Sequence, residues 1–479
     1  MTSDFLPSLL ANVWSILLVA LFFGASIFVH ELGHFLAARR RGVKVERFSI
    51  GFGPAIFSWH GRDGVEYRLA WFPLGGYVLL PQLADLGPIE GKSEADVEKL
   101  PPVSYSSKMI VFVAGAVFNV LFAFGLASII WVIGQPENSE TASTSIGYVS
   151  EKIVLPDGQK VTSPAVEAGL HVGDVIKAID GHPVMKFFDI YAQIGLGSGM
   201  NADGRRQAVF TIQRDGRIFD VIVHPQLAGE ESERRVGIAP GYQMSVLQVA
   251  PDSIAAKAGF RVDDLILSLD GQSVMSFQTW QDALESSAKR PVLARVRRAG
   301  NEVVLTIPAR PQAKTGATLG VALTSGYTLI YPTPYAQVRD QVLMSFRTLS
   351  SLINPHSDIG LSKLSGPVGI VRIFHSAAEA GIRPVLMFTI LLNISLAIFN
   401  LLPIPVLDGG QMMFATIGRL RGRALPVNFI MAANSVFIVL LLSMVIYVSI
   451  FDVRRINRDR AEAAPPATAP VTTPAPAKP

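Results

Sequence analysis

The stretch His30-Glu31-Leu32-Gly33-His34 carries two histidines and a glutamate in the spacing H-E-x-x-H. On a helix, residues four positions apart share a face, so both imidazoles are predicted to face one metal ion. Zinc binds neutral imidazole nitrogens and, at catalytic sites, leaves one position for water. Glu31 would lie beside that water, where a carboxylate accepts a proton and later returns it. The pattern therefore predicts a zinc site with His30 and His34 as ligands and Glu31 as general base.

An apolar segment surrounds this motif. Residues 13–38 are long enough to span a bilayer, and residues 13–29 contain no charge. Matches to H-E-x-x-H arise by chance in many soluble helices. Inside a membrane span, however, a buried Glu31 needs a partner or a metal, because ionisable groups are costly there. The location therefore favours a metal site over a chance match.

Composition indicates a membrane protein with soluble parts. The chain has 479 residues, of which 49% are hydrophobic and only 17% are charged. Its net charge of +4 is small and its arginine clusters flank apolar segments, so no nucleic acid partner is expected. The chain contains no cysteine, which excludes disulfides and thiolate metal ligands.

Four segments are predicted to cross the membrane. They are approximately Val13–Ala38, Met109–Ile133, Val385–Leu402 and Val427–Ile450. Arginines follow the first segment at 39–41 and precede the fourth at 419–423. The positive-inside rule then places the metal motif toward the cytoplasm and the region between the second and third spans outside. Arginines at 454–460 disagree with this topology, so the side of the C-terminal tail stays open.

Asp408 is the predicted third ligand. It lies near the end of the stretch Asn400-Leu-Leu-Pro-Ile-Pro-Val-Leu-Asp-Gly-Gly410, which begins at the end of the third span. Irregular backbone at membrane depth occurs only where it is buried or lines a cavity, and a zinc site with two imidazoles accepts a carboxylate. Two crossings return the chain to the same side, although 374 positions separate His34 from Asp408. The alternative is that Asp408 is a turn residue at the cytoplasmic surface.

Strand-like residues lie between the first two spans. Residues 65–72 alternate partly, and Pro73-Leu-Gly-Gly-Tyr-Val78 follows, which predicts a β-hairpin or sheet. A glycine-rich edge near the metal motif could accept an extended substrate as an added strand, and a purely structural hairpin is the alternative. In the second span, Asn119 is expected to hydrogen-bond a neighbouring helix rather than bind metal.

An internal repeat marks the region between the second and third spans. Residues 163–184 align without gaps to residues 253–274, an offset of 90 with 10 of 22 positions identical. Each copy predicts a capped short helix, a glycine turn, a strand, an Asp-Gly turn and a second strand. The pattern resembles the PDZ fold, whose members take peptide ends as an added strand. Whether these domains bind peptides or act as spacers or filters stays open.

The expected fold is a polytopic α-helical membrane protein with four transmembrane helices, a membrane-associated β-hairpin and two inserted PDZ-like α+β domains. The expected divisions are residues 1–107 (first helix and hairpin), 108–134 (second helix), 135–232 and 233–312 (PDZ-like domains 1 and 2), 313–383 (linker with an amphipathic helix at 338–353), 384–450 (third and fourth helices) and 451–479 (disordered tail). Residues 81–102 are polar and acidic and are expected to form a loop.

Together these motifs resemble the site-2 protease family of intramembrane zinc metalloproteases, and within it the RseP type with tandem PDZ domains. The resemblance covers about residues 5–450 and rests on V-H-E-L-G-H at 29–34, R-F-S-I-G-F-G-P at 47–54, P-L-G-G-Y-V at 73–78 and N-L-L-P-I-P-V-L-D-G-G at 400–410. Two positions depart from the family's usual motifs: Gln411 replaces a frequent histidine and Ala116 a frequent proline. These departures affect neither a proposed ligand nor the base.

The resemblance implies a zinc metalloendopeptidase with the following site: zinc ligands His30, His34 and Asp408, catalytic base Glu31, and substrate-binding residues Asn400, Gly75 and Gly76. It further implies a multi-pass protein of the bacterial inner membrane with periplasmic PDZ domains that act as a size filter. The implied substrates are single-span membrane proteins such as anti-sigma factors and remnant signal peptides. A non-enzymatic PDZ scaffold and a zinc transporter are the alternatives, but transporters usually repeat the membrane part, whereas here the repeat is soluble.

Overall fold

A computed structural model of the chain describes residues 5–83, 100–197, 206–229, 232–310, 319–354 and 364–463. The chain divides into two compact units. The first comprises residues 1–133, 331–346 and 360–479, and the second comprises residues 134–330 and 347–359. The described helices are α1 (Phe5–Arg40), α2 (Tyr105–Ile133), α3 (Ser139–Ala142), α4 (Pro164–Glu167), α5 (Phe187–Leu196), α6 (Ile254–Ala258), α7 (Phe277–Ser286), α8 (Pro334–Ile353), α9 (Pro367–Glu379), α10 (Ile382–Asn400), α11 (Asp408–Leu420) and α12 (Val427–Ala463).

The described strands form sheets of two to six strands. They are β1 (Arg47–His60), β2 (Glu66–Leu79), β3 (Gln135–Asn138), β4 (Ile146–Val149), β5 (Lys152–Val154), β6 (Lys160–Thr162), β7 (Val175–Ile179), β8 (His182–Pro183), β9 (Ala208–Arg214), β10 (Arg217–Val223), β11 (Gln226–Ala228), β12 (Glu233–Arg235), β13 (Ile238–Pro240), β14 (Met244–Val249), β15 (Leu265–Leu269), β16 (Gln272–Ser273), β17 (Val292–Arg298), β18 (Asn301–Ile307), β19 (Val321–Thr324) and β20 (Tyr327–Ile330).

Four of the described helices are long and apolar enough to cross a membrane. The spans are Ile16–Arg40 in α1, Tyr105–Ile133 in α2, Ile382–Asn400 in α10 and Val427–Arg458 in α12. Large apolar side chains on these helices point outward, among them Val132 at 75% and Ile446 at 64% exposure. Such apolar surface is unfavourable in water and suits lipid. The expected four-span membrane protein is therefore confirmed at the level of length and composition.

Helix α2 packs closely against α1 beside the H-E-x-x-H motif. A Cβ on Gly33 of α1 would lie 2.5 Å from the Ala114 carbonyl oxygen of α2, so only glycine permits this approach. One turn before the motif, the side-chain amide of Asn393 in α10 donates to Ser26 Oγ at 2.8 Å. The small residue and the buried polar contact fix α1 against both neighbours.

The predicted β-hairpin is present as β1 and β2. Residues 47–50 of β1 pair on one side with residues 66–69 and on the other with residues 76–79. The segment 76–79 is therefore an edge strand, and its outer edge pairs with no other strand among the described residues. Much of the predicted loop at 81–102 lies outside the described part, since residues 84–99 are not described.

The internal repeat forms two similar sets of elements in the second unit. The first copy contains α4, β7 and β8 over one hydrophobic core, and the second contains α6, β15 and β16 over another. The helices begin at N-cap residues Ser163 and Ser253, whose hydroxyls accept backbone N–H groups. The predicted Asp-Gly turns carry positive φ at Asp180 (50°) and Asp270 (48°). This order of elements matches the order predicted for each copy, and their assignment to the PDZ fold stays a prediction.

Each copy also contains the same buried ion pair. In the first, Arg214 donates two hydrogen bonds of 2.6 Å to Asp174 and one to the Gly169 carbonyl. In the second, Arg298 donates two bonds of 2.7 Å to Asp264 and one to a carbonyl at the end of α6. Both aspartates are essentially fully buried, at 1% and 0% exposure. The pairs fasten the short helix of each copy to its sheet.

We expect Asp174→Asn to destabilise the first core by about 2 kcal/mol, because Arg214 loses a buried charged partner. Burial raises the pKa of Asp174, but the hydrogen bonds from Arg214 and from the His171 N–H outweigh it, so the pKa is lowered overall. The lowered pKa contributes stability above the unfolded-state pKa of about 4, and this contribution is lost as the pH falls through the folded-state pKa.

Hydrogen exchange of β7 and β9 at a series of pH values, in the full-length protein, measures this effect. In wild type, the amides of β7 and β9 should lose protection below pH about 4. In the Asp174→Asn variant they should be less protected at neutral pH, and their protection should depend less on acid pH. Strands β15 and β17 of the second copy are the internal control. Equal protection of β7 and β9 in both proteins would contradict the assigned role of the pair.

Three boundaries differ from the sequence-based expectation. Strand β19 pairs with β14 in the sheet of the second repeat copy, so that sheet includes residues expected to belong to the linker. The linker helix α8 is present and begins at Pro334. Helix α12 continues to Ala463 because its charged residues after Ile450 extend the helix beyond the apolar span. The expected disordered tail is therefore wrong for residues 451–463, and residues 464–479 lie outside the described part.

Candidate metal centre

Helix α1 places His30 and His34 on one face, as their four-residue spacing requires. Their Nε2 atoms lie 3.1 Å apart, and the rings meet edge to face with centroids 4.7 Å apart. His34 is buried at 7% exposure. Its Nδ1 lies 2.8 Å from the Val111 carbonyl oxygen of α2, which accepts its proton. The lone pair of His34 is therefore on Nε2, the atom that faces His30.

Asp408 reaches both histidines from the first turn of α11. Its Oδ2 atom lies 3.3 Å from His30 Nε2 and 3.3 Å from His34 Nε2. The two glycines that follow allow this approach, since a Cβ on Gly409 or Gly410 would lie 2.2–2.4 Å from a backbone carbonyl oxygen. The three residues predicted from sequence as metal ligands thus meet in the structure.

The donor atoms fit a tetrahedral zinc ion. Ligand atoms about 2.0–2.1 Å from such an ion lie about 3.3–3.4 Å from one another. The observed separations of 3.1, 3.3 and 3.3 Å agree with that spacing. Oδ2 of Asp408 is buried and is paired with no hydrogen-bond donor, as expected for an atom kept for a metal. Two imidazoles and one carboxylate also leave the fourth position open to water.

One face of α2 holds both imidazoles. Val111, Gly115 and Asn119 follow one another at four-residue intervals on this helix. A Cβ on Gly115 would lie 2.4 Å from His34 Nε2 and 2.6 Å from His30 Cε1, so the rings occupy the space that a side chain would need. The sequence analysis did not place Val111 or Gly115 at the metal site, because a backbone carbonyl and an absent side chain leave no chemical pattern in a sequence.

Asn119 lies beside His30, as the expectation of an interhelical contact suggested. Its Nδ2 is 3.3 Å from His30 Nδ1, and its Oδ1 is buried without a hydrogen-bond partner. When Nε2 of His30 serves as a ligand, Nδ1 carries the proton and requires an acceptor. A 180° rotation of the amide would present Oδ1 to that proton and give the oxygen its partner. Asn119 thus contacts a predicted ligand without contributing an atom to the three-residue cluster.

A cavity of about 280 Å³ opens at the cluster. Its lining includes the three cluster residues and Glu31, Phe52, Gly76, Tyr77, Asn400, Val406 and Gln411. Asn400 Nδ2 lies 3.5 Å from His30 Nε2, and Gly76 packs on Glu31, where a Cβ would lie 2.9 Å from Glu31 Cγ. Gly75 instead packs on Phe52 and is not in the lining. Of the substrate-binding residues expected from sequence, Asn400 and Gly76 are beside the cluster.

An ion-pair network fixes the base of the hairpin. Glu66 accepts hydrogen bonds from Arg47 at 2.7 Å and from Arg68 at 2.5 Å. Burial raises the pKa of Glu66, but the bonds from the two arginines outweigh it, so the pKa is lowered overall. Glu66 therefore remains ionised at neutral pH and holds the register in which residues 47–50 are paired on both sides.

Comparison with known proteins agrees with this arrangement. A model of peptidase family M50 matches residues 18–444. The chain is 30% identical to a putative zinc metalloprotease of Vibrio cholerae, over 86% of this chain and 92% of that protein. It is 28% identical to the regulator of sigma-E protease RseP of Escherichia coli and 27% identical to the regulator of sigma E protease of Salmonella typhi, each over 92% of this chain and 99% of the relative.

These matches extend over most of the chain. The family model covers both parts of the predicted zinc site, nearly all of the first three apolar helices and the first part of the fourth. The resemblance inferred from the motifs is thus confirmed, and the chain is a membrane-bound zinc metallopeptidase of the site-2 type. The chain belongs to peptidase family M50.

Proposed function

We propose that this protein hydrolyses a peptide bond within the transmembrane segment of single-span membrane proteins. The observation that carries the proposal is the three-residue cluster. Two of its members lie in a membrane-spanning helix and the third at the start of α11, and their donor atoms are spaced as tetrahedral zinc ligands would be. His30, His34 and Asp408 would hold the zinc ion. When bound, zinc polarises the scissile carbonyl and lowers the pKa of water.

Glu31 is the proposed general base. It follows His30 directly and lines the same cavity, so its carboxylate is beside the space that the reacting carbonyl would occupy. It would accept a proton from the attacking water and deliver it to the leaving amine. Asn400 also lines the cavity, and its amide N–H groups would donate hydrogen bonds to the carbonyl oxygen as negative charge develops there.

The edge strand of the hairpin is the proposed binding site for the unwound substrate. A transmembrane helix has its carbonyls hydrogen-bonded internally, so the scissile segment must unwind before water attacks. Residues 76–79 present a strand edge that pairs with no other strand in the part of the chain that the structure describes, and three of them line the cavity. Strand addition there would satisfy the freed backbone groups of the substrate. Gly75, packed on Phe52, would shape this edge rather than contact the substrate.

The relatives and the charge pattern support the proposed location and substrate class. The relatives named as regulators of sigma E protease support anti-sigma-factor-like substrates, and remnant signal peptides are a second group of single-span substrates. The arginines at 39–41 support a bacterial inner-membrane topology with the metal centre toward the cytoplasm. The duplicated domains would then be periplasmic, and as PDZ-like modules they would exclude substrates with large outer domains.

Metal removal tests the proposal. The full-length protein, purified in detergent, is incubated with a tagged single-span substrate before and after treatment with a chelator, and its zinc content is measured. We expect cleavage to be lost with the metal and restored by stoichiometric zinc, because Asp408 and the two histidines would hold the ion that polarises the scissile carbonyl.

The alternatives give different results. A zinc transporter would move zinc across vesicle membranes and leave the substrate intact. A scaffold would bind partners with or without the metal. Full cleavage by zinc-free protein would contradict the proposed mechanism.

A further inference from the structure

The turn before Asp408 carries an unusual residue at its third position. Leu407 N–H donates to the Ile404 carbonyl at 3.1 Å, so these residues enclose a β-turn with Pro405 second and Val406 third. The φ of Val406 is +82°, the value of the third residue in a type II turn, where glycine or asparagine is usual. A β-branched residue is strained there. A type I turn would give Val406 an ordinary negative φ.

A side chain from another helix selects the strained turn. The N–H of Val406 donates to Asn434 Oδ1 of α12 at 3.2 Å. Types I and II differ mainly in the orientation of the central peptide, here the one between Pro405 and Val406. In a type I turn that N–H would point the other way and lose its acceptor. The hydrogen bond to Asn434 therefore favours the form that Val406 disfavours.

Asn434 is one of the few side chains of α12 that are described and buried. Among the side chains of α12 that are described, at residues 427–458, only Asn434, Val448 and Asp452 are buried. Asp452 accepts the backbone N–H groups of Gly366 and Gly369, at 2.9 and 2.8 Å, where α9 begins. The helix thus has two buried polar anchors, of which Asn434 bonds to the turn before Asp408 and Asp452 bonds to the start of α9.

We propose that Asn434 is a positioning residue for the metal centre. By holding Val406 in the type II conformation it directs the start of α11 so that Asp408 Oδ2 faces His30 and His34. Asp408 is two residues beyond Val406, so rotation of the turn's central peptide would move its carboxylate out of the 3.3 Å contacts. The inference rests on the proposed function, since it assumes that these three residues hold zinc.

A double-mutant cycle tests the inference. Asn434→Ala, Val406→Gly and the double variant are prepared as full-length proteins in detergent, and zinc affinity is measured by competition with a chromophoric chelator. The visible spectrum of the cobalt(II)-substituted proteins reports the coordination geometry. Asn434→Ala should weaken zinc binding about tenfold and alter the cobalt spectrum. Val406→Gly alone should bind zinc as wild type does, because glycine adopts φ +82° without strain.

The double variant is the decisive measurement. Glycine at 406 keeps the type II turn without help, so the double variant should regain most of the lost affinity and the wild-type cobalt spectrum. Asp452→Ala, which removes the other anchor of α12, is the matched control, and Val406→Gly should not correct any loss it causes. Unchanged zinc affinity in Asn434→Ala, or strictly additive losses in the cycle, would overturn the inference. Wild-type protein that fails to bind zinc would instead overturn the proposed function.

Discussion

Replacing Glu31 with glutamine should reduce cleavage of a single-span substrate by about 10²–10⁴-fold while zinc content stays at the wild-type level. Glutamine has nearly the same size and cannot accept the proton of the attacking water. Glu31 is not one of the three residues whose ligand atoms cluster, so the metal should stay bound in the variant. The measurement is a single-turnover cleavage rate in detergent, with zinc determined on the same sample.

A shorter carboxylate provides the matched control. Glu31→Asp keeps the charge and the basic group but withdraws it by one methylene, so it should retain more activity than the glutamine variant. His34→Ala should lose zinc and activity together, which separates loss of the metal from loss of the base. A glutamine variant that cleaves at the wild-type rate with zinc bound would show that another group accepts the proton.

The chemistry of the site was predictable from sequence, since it depends on residue types with strong patterns. The imidazoles of His30 and His34 and the carboxylate of Glu31 lie inside an apolar span, where a metal site is one of few ways to accommodate them. Counting the membrane crossings placed Asp408 on the same side as these residues. The four spans followed from hydropathy, and the duplicated elements followed from the repeat at an offset of 90 residues. Each of these predictions rested either on many residues that agree or on ionisable residues whose burial in a membrane is energetically costly.

The supporting contacts were not predictable, because their residues have no chemical pattern of their own. Val111 contributes a backbone carbonyl, which any residue at that position possesses. Gly115 is needed only because two rings from another helix occupy its side-chain space. The left-handed backbone of Val406 contradicts the preference of a β-branched residue, and its N–H bonds to Asn434 on α12, far away in the sequence. Such features depend on tertiary packing, which the local sequence does not report.

Substituting alanine for Gly115 should abolish high-affinity zinc binding and lower cleavage about 100-fold or more. The new Cβ would lie 2.4 Å from His34 Nε2 and 2.6 Å from His30 Cε1, distances that real Cβ contacts do not reach. The nearest atoms belong to the rings themselves, so at least one imidazole must move from the cluster. Zinc affinity by chelator competition and the cleavage rate are the two measurements.

Gly125→Ala is the matched control, because it makes the same change two to three turns further along α2. A Cβ at that position meets no atom within 4 Å, so zinc affinity and activity should be unchanged. Alanine favours a helix over glycine by about 1 kcal/mol at either position, so neither variant should weaken α2 itself. Loss of zinc only in the Gly115 variant would therefore trace the defect to the imidazoles. Equal zinc affinity in both variants would mean that the rings do not rest on Gly115, and the cluster would have to be held by other contacts.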